Sequence, residues 1–402
     1  MLRLYNSLTR EKEVFKPLKK NKVSIYVCGI TPYDITHLGH AFTYIFLDVL
    51  VRYLTFSGYK VNYTQNVTDI DDDILKKARK ERKDFRKLGD FWTKRYLLDM
   101  ESLNVLSPSH FVKATNSIDK MIMIINNLLK KGIAYKNGGN IYFQVSKFKK
   151  YGRLSKFNRK QMILISKERG ADPRDPLKKN PLDFILWQGR GSRDEKGEPS
   201  WDAPFGSGRP GWHIECSAMA DRFLGRRIDI HGGGKDLIFP HHESEIAQSE
   251  SYTGKKPFAR YWMHTAMVIA SGEKMSKSLG NLIMVKDLLG KYSLNAVRWA
   301  LLSHHYRQPW EYEEKELHVC EDYMQEVTGA LKQINEGLTR KIKADSYLKD
   351  FIYAMNDDLN TPKVLQLILK AAKRIQREKN KSNIKELQEV LKTIITALGL
   401  KL

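Results

Sequence analysis

The stretch Tyr26-Val-Cys-Gly-Ile-Thr-Pro-Tyr-Asp-Ile-Thr-His-Leu-Gly-His40 constrains the fold more than any other part of the chain. β-Forming residues run from Val23 to Val27, Gly29 and Pro32 break the run, and Phe42, Ile45, Phe46, Val49 and Leu50 recur at helical spacing. The pattern predicts a strand, a loop and a helix. In such a unit the carboxyl end of the strand and the amino end of the helix open on one crevice, where free backbone N–H groups and the helix dipole attract phosphate. Cys28 falls at the strand end, and His37 and His40 fall where the helix starts. A thiol and two imidazoles are therefore expected at the mouth of a phosphate site.

A chain of 402 residues suggests roughly two to four domains. Its formal net charge of +23 points to a polyanionic partner such as nucleic acid, with a lysine-rich proteome as the plainer alternative. The start, Met1-Leu-Arg-Leu-Tyr-Asn-Ser7, lacks the apolar core of a signal peptide, and the longest oily run, Met121 to Leu129, is broken by Asn126 and Asn127. A cytoplasmic protein without a membrane span is expected. Three cysteines without regular spacing argue against a disulfide framework and leave metal binding or catalysis for those that matter.

After a helix over 42–56, Val61 to Asn66 alternates as a second strand that ends in Val67-Thr-Asp-Ile-Asp-Asp-Asp73. A right-handed parallel unit sets that acidic cluster beside the first loop. Asp71 to Asp73 suit the amino end of a helix from Ile74 to Arg82, while Thr68 and Asp69 are better placed to touch a ligand. Lys76 to Arg95 is densely basic, and Lys147 to Lys160 repeats that character around Phe148, Tyr151 and Phe157. Such mixtures grip a nucleic-acid backbone and stack its bases, although solvated helix faces share the composition. From about Pro108 to Pro204 the parallel pattern lapses into turn-rich sequence, which reads as an insertion, and it resumes near Gly211 to Met219 and Arg227 to His231.

The glycines of His231-Gly-Gly-Gly234 let backbone approach a ligand closely. A helix beginning after Pro240 would put His241 and Glu245, four apart, on one face, where they could share a metal or form a simple surface pair. Cys28 and Cys216 would complete two thiolates, an imidazole and a carboxylate, a set suited to tetrahedral zinc, though nothing in the spacing forces them together. Gly272-Glu-Lys-Met-Ser-Lys-Ser-Leu-Gly280 offers Lys274 and Lys277 for charge on transferring phosphates, but as a bare pattern it fits any surface loop. From Glu314 onward amphipathic helices are expected, with Thr361 as N-cap and Pro362 as first helical residue of one of them. Cys320 reads as a spare thiol.

His37-Leu-Gly-His40 together with Lys274-Met-Ser-Lys-Ser278 resembles the paired signatures of class I aminoacyl-tRNA synthetases. Within that class, Tyr26-Val-Cys-Gly29, Gln65-Asn-Val-Thr-Asp-Ile-Asp-Asp72, Gly211-Trp-His-Ile-Glu-Cys-Ser-Ala-Met219, Asp229-Ile-His-Gly-Gly-Gly234 and Phe239-Pro-His-His-Glu243 look like the cysteinyl-tRNA synthetase family. The resemblance implies an α/β fold, a Rossmann-type parallel sheet split by a connective insertion and followed by a C-terminal α-helical bundle. The implied layout is residues 1–110 and 206–265 for the two halves of the catalytic domain, 111–205 for the insertion, 266–318 for the Lys274 loop and stem-contact region, and 319–402 for the bundle.

The resemblance further implies an ATP-dependent ligase that activates L-cysteine as its adenylate and passes it to tRNA(Cys). It assigns zinc to Cys28, Cys216, His241 and Glu245, and ATP, with Mg²⁺, to Thr36, His37, Gly39, His40, His231 and Lys277. His37, His40, Lys274 and Lys277 would be catalytic, while Gly29, Thr31, Thr68, Trp212 and Asp236 would hold the amino acid. A monomer is expected from the family; the family usually carries a small anticodon-reading domain after the bundle, and in departure from that pattern no such separate domain is expected here, where the chain stops at Leu402. Cys28-Gly-Ile-Thr-Pro-Tyr-Asp34, Thr36 to Ala41 and Glu168-Arg-Gly-Ala-Asp-Pro-Arg174 look closer to the cysteine ligase of mycothiol synthesis, which passes cysteine from the same adenylate to glucosaminyl-inositol. Glu245, the His231 to Gly234 and Glu243 to Ser249 stretches, and the positive charge favour tRNA. A catalytically dead RNA-binding paralogue would need a broken signature, and none is visible.

Overall fold

The computed structural model describes residues 1–33, 35–191, 198–275, 279–334, 344–378 and 384–402. Five strands pair in parallel at its centre: β1 (Lys22–Ile30), β2 (Lys60–Val67), β3 (His110–Lys113), β4 (Ile228–Gly234) and β5 (Ala259–Thr265). Their order is β5-β4-β1-β2-β3. Chain direction away from β1 reverses between β1 and β4, so this doubly wound sheet opens a crevice at the carboxyl ends of those two strands. The same ends carry Cys28 and the His231 to Gly234 run.

Helix α1 (Leu38–Phe56) follows the β1 loop, and its long apolar run is buried because the sheet packs on it from one side and the C-terminal helices from the other. Helices α2 (Asp72–Glu81) and α3 (Phe85–Ser102) follow β2. As the acidic cluster predicts, Asp71 caps α2 by accepting from the Asp73 N–H at 2.6 Å. The insertion is a four-stranded antiparallel sheet of Ala134–Asn137, Asn140–Phe143, Phe184–Gly189 and Gly208–Pro210, with helices Ile118–Lys130 and Arg159–Glu168. Strand β3 carries the parallel sheet past residue 110, and Gly208–Pro210 carries the insertion sheet past 205. Both are short edge strands without clear alternation, which is why turn residues alone set the expected limits a few positions off.

Helix α4 (Trp212–Phe223) returns the chain to the sheet, and α5 (Glu243–Thr253) follows β4. Helix α6 (Leu294–Leu302) then leads to a bundle of α7 (Glu314–Lys332), α8 (Asp345–Asn356), α9 (Thr361–Arg377) and α10 (Lys385–Ala397). The cap of α9 lies one residue earlier than expected. Asn360 accepts from the Lys363 N–H at 3.2 Å, whereas the Thr361 hydroxyl donates to the Leu302 carbonyl at 2.8 Å and so ties α9 to α6. Cys320 lies in the core of the bundle. Among the described residues no helix is long and apolar enough to cross a membrane.

A buried ion cluster joins the bundle to α1. The Arg298 guanidinium on α6 is fully buried, donates to Asp48 Oδ2 on α1 at 2.6 Å, and also donates to the carbonyls of Leu103 at 2.8 Å and Leu398 at 2.6 Å. Gly399 follows Leu398 in left-handed backbone, and a Cβ there would lie 2.2 Å from Arg298 Nη2. Removing one member of such a cluster leaves a buried carboxylate short of a partner. Arg298→Met is expected to cost about 3 kcal/mol of unfolding free energy, read as a lower denaturation midpoint in urea; an unchanged midpoint would contradict the assigned role.

Candidate active site and metal centre

Three chain segments meet at the crevice. Cys28 arrives at the end of β1, Cys216 in the second turn of α4, His241 just before α5 and Glu245 in its first turn. One donor atom from each lies within 4.8 Å of all the others, and all four residues are buried. The Cys28 and Cys216 sulfurs are 3.7 Å apart and unbridged, Cys28 Sγ is 3.5 Å from Glu245 Oε1, and that oxygen is 3.2 Å from His241 Nε2. Zinc bonds of about 2.0–2.3 Å in a tetrahedron require donor separations of roughly 3.3–3.8 Å. The three separations of 3.7, 3.5 and 3.2 Å lie in or just below that range.

The chemistry of the donors fits as well. Among the described residues His241 Nε2 has no hydrogen bond although Glu245 is near, while His241 Nδ1 is 3.0 Å from His213 Nδ1. One ring nitrogen is thus engaged and the other left as an orphan in the cluster, as for a metal-binding imidazole with an outer partner. Burial raises the Cys28 thiol and the Glu245 carboxyl and lowers the His241 imidazole, so each resists its charged form. A divalent cation is what would reverse that preference for the Cys28 thiol and the carboxyl.

On the other side of the loop, His37 is the N-cap of α1, and its ring stacks on His40 with centroids 3.8 Å apart. Burial, reinforced by His37, lowers His40 and keeps it neutral; among the described residues its Nδ1 has no hydrogen-bond partner. The expected free backbone N–H groups are not free. Leu38 N–H donates to Ile283, Gly39 N–H to His37 Nδ1, and the His40 and Ala41 N–H groups to the His37 carbonyl. What α1 can offer an anion is its dipole and the imidazoles.

The segment after the Lys274 motif is laced to this helix start, with Leu38 N–H on Ile283 O at 2.8 Å and Val285 N–H on Thr36 O at 3.0 Å. Buried Met275 also reaches Gly39, where a Cβ would lie 3.5 Å from its Cε. The two signature stretches are therefore neighbours. Lys277 lies outside the described residues, and of Lys274 only the backbone is described, in a short strand antiparallel to Val268–Ala270.

A family model for the tRNA synthetases class I (C) catalytic domain matches residues 14–322, and a DALR domain model matches residues 350–402. The cysteine–tRNA ligase of Histophilus somni (strain 2336) is 41% identical over 385 residues, 96% of this chain and 82% of that protein. The cysteine–tRNA ligase of Thermodesulfovibrio yellowstonii is 44% identical, over 96% of this chain and 81% of that protein. The chain belongs to the cysteine–tRNA ligase family. Among solved structures, Mycobacterium tuberculosis methionyl-tRNA synthetase in complex with methionyl-adenylate superposes with a TM-score of 0.68 over 94% of this chain and 90% of that one. At 16% identity that likeness supports the fold alone. These relatives and the two domain matches favour the tRNA ligase over the amino-sugar ligase.

Seen as a cysteine–tRNA ligase, the pocket residues divide. Gly29 N–H donates to Asn66 Oδ1 at 2.9 Å, and a Cβ on Gly29 would lie 1.5 Å from the Asn66 carbonyl oxygen, so no other residue fits there. Thr31 follows in the same loop, and Thr68 is buried at the end of β2, its hydroxyl accepting from Asn66 Nδ2 at 3.3 Å. Trp212 stacks on the His241 ring with centroids 4.3 Å apart. Asp236 is half-buried and paired with Arg169 at 3.4 Å. Asp69 is occupied by Thr115, from both its N–H and its hydroxyl.

His231, expected beside the nucleotide, has its ring turned to the metal cluster. It is fully buried in the metal cluster, with Nε2 3.0 Å from Glu245 Oε2 and its ring stacked on Trp262. The glycines after it admit protein rather than ligand, since a Cβ on Gly233 would lie 3.1 Å from the His242 ring. His242 itself was missed. Its Nε2 is 3.3 Å from Cys28 Sγ and its Nδ1 is 2.8 Å from His264, which reaches Ser7. The three-residue step from His242 to Glu245 was the available signal. The purified protein is expected to carry about one zinc per chain, and Cys216→Ala and His241→Ala to lose it; full zinc content in both variants would move the metal elsewhere.

Proposed function

We propose that this chain joins L-cysteine to tRNA(Cys) in two steps at the β1–β4 crevice. In the first, a cysteine carboxylate oxygen attacks the α-phosphorus of ATP, the bond to the bridging β-phosphate oxygen breaks, and pyrophosphate leaves. In the second, a hydroxyl of the 3′-terminal ribose attacks the activated carbonyl carbon, and AMP leaves. Neither step needs a covalent enzyme intermediate, so the chain's task is positioning and charge stabilisation.

Cys28, Cys216, His241 and Glu245 hold zinc in this reading. Bound there, zinc supplies a soft Lewis acid that prefers a thiolate to a hydroxyl, which an apolar pocket could not discriminate strongly. His231 orients Glu245 rather than touching the nucleotide. Thr68 and Trp212 wall the side-chain pocket, and Gly29, Thr31 and Asp236 receive the backbone groups of cysteine. Thr36 and Gly39 border ATP. His40, neutral by burial, acts as a hydrogen-bond donor with His37, while Lys274 and Lys277 neutralise charge that develops on the phosphates together with Mg²⁺ carried by ATP. The protein works in the cytoplasm as a monomer.

The convergence of two thiols, an imidazole and a carboxylate from three separate segments carries this reading. Cysteine should drive ATP–pyrophosphate exchange at least ~10³-fold faster than serine, and comparable exchange with serine would refute selection through the metal. Offered tRNA and glucosaminyl-inositol together, the enzyme should cysteinylate tRNA alone; label found only on the sugar would assign the other acceptor.

A further inference from the structure

Metal ligation by Cys28, Cys216, His241 and Glu245 leaves two imidazoles of the same cluster unused. One donor atom from each of Cys28, His231, His242 and Glu245 also lies within 4.8 Å of all the others, and these four residues are buried too. His231 Nε2 is 3.0 Å from Glu245 Oε2, His242 Nε2 is 3.3 Å from Cys28 Sγ and 3.9 Å from Glu245 Oε1, and Cys28 Sγ is 3.5 Å from that oxygen. These separations are close to those of the first set. The two groups share Cys28 and Glu245 and differ in their other two members.

Glu245 is placed for such sharing. Its Oε1 lies 3.2 Å from His241 Nε2, in the first set, and its Oε2 meets His231, in the second. A carboxylate with one oxygen toward each side, beside a thiolate with lone pairs to spare, is the kind of donor pair that holds two ions a few ångströms apart. The outer contacts of the second set also suit a metal. His242 Nδ1 is 2.8 Å from His264 Nε2, and His264 Nδ1 is 2.8 Å from Ser7 Oγ. With a proton on each Nδ1, this chain leaves His242 Nε2 as a lone pair aimed at Cys28.

Charge favours a further cation. Two thiolates and a carboxylate around one divalent ion leave one negative charge in excess, in a place where unbalanced charge is costly. Among the described residues the ion-pair partners of Glu245 are His231, His241 and His242, with no lysine or arginine to offset it. We infer that the cluster is a two-ion centre, with a first zinc in the two-thiolate set and a second, more weakly held divalent ion on Cys28, His231, His242 and Glu245. One thiolate, two imidazoles and a carboxylate suit borderline ions such as Zn²⁺ or Co²⁺, while the two thiolates keep the first zinc in its own set. The second ion binds when zinc exceeds the chain, and it replaces the contacts by which His231 and His242 otherwise hold Glu245 and Cys28. The inference rests on the zinc reading of the first set given above.

Zinc titration of the full chain without an affinity tag, with bound metal counted after equilibrium dialysis, is set beside the same titration of His231→Gln and His242→Gln. X-ray absorption of the parent is recorded at one and at two equivalents. The parent should reach about two zinc per chain, and a zinc–zinc vector at ~3.5 Å should appear at two equivalents and be absent at one. Each variant should keep the first zinc and bind the second at least about tenfold more weakly. A parent that stops at one zinc, or that takes a second without the zinc–zinc vector, overturns the inference and leaves His231 and His242 as outer supports only. So does a second zinc that both variants bind as the parent does, which places it on the surface. The vector is read on the parent alone, so a variant that loses its fold does not blunt the test. A parent that binds no zinc at one equivalent would instead sink the metal reading of Cys216 and His241 itself.

Discussion

Two sulfurs 3.7 Å apart, unbridged and buried beside a carboxylate, form the contact on which the rest of the site depends. Each of these groups is a metal ligand only when ionised, and even after relaxation the cost of burying one such ion unpaired is on the order of several kcal/mol. Three like charges brought together without a cation would be worse still. The arrangement makes sense as a cage for a divalent ion, and the orphaned His241 nitrogen completes it. Around the cage the imidazoles of His213, His231 and His242 hold His241, Glu245 and Cys28 from behind. Such outer contacts fix the direction in which each ligand points.

The cage can exist only because distant parts of the chain are locked together. The reversal of strand order between β1 and β4 puts Cys28 across from the β4 end. The insertion is fastened to the start of α5 by Glu243, whose Oε2 accepts from the Leu154 N–H, the Ser155 N–H and the Ser155 hydroxyl at 2.9–3.1 Å. Helix α1 then runs from the crevice to the bundle. Its first residues form the His37 and His40 end of the crevice, and Asp48, further along, is gripped by Arg298 beneath the bundle. Ordering of the amino-acid side and of the nucleotide side thus runs through one helix and the loop before it.

Much of this was legible in the residues. The switch from β-forming residues to helical spacing around Gly29 and Pro32 announced the crevice, and the acidic run after Thr68 announced a helix cap. The four-residue step from His241 to Glu245 put two donors on one face. What distinguishes Cys28 and Cys216 from spare thiols such as Cys320 is tertiary and has no local signal. The resemblance to known synthetases supplied that link. Other readings failed because hydrogen bonds between elements override local rules. Thr361 gives up the cap to Asn360 because its hydroxyl is drawn to Leu302, and the α1 amides are taken by Ile283 and His37. The contact of His231 with Glu245, where β4 and α5 face each other, is a further tertiary feature that no spacing within the glycine run encodes.

X-ray absorption at the zinc edge, with and without L-cysteine, tests the central claim most directly. Expected is a first shell of two sulfurs with one nitrogen and one oxygen, gaining a third sulfur when cysteine is added and remaining unchanged with serine. A shell of nitrogen and oxygen only, or a sulfur count that cysteine leaves unaltered, would contradict selection of the amino acid at Cys28 and Cys216.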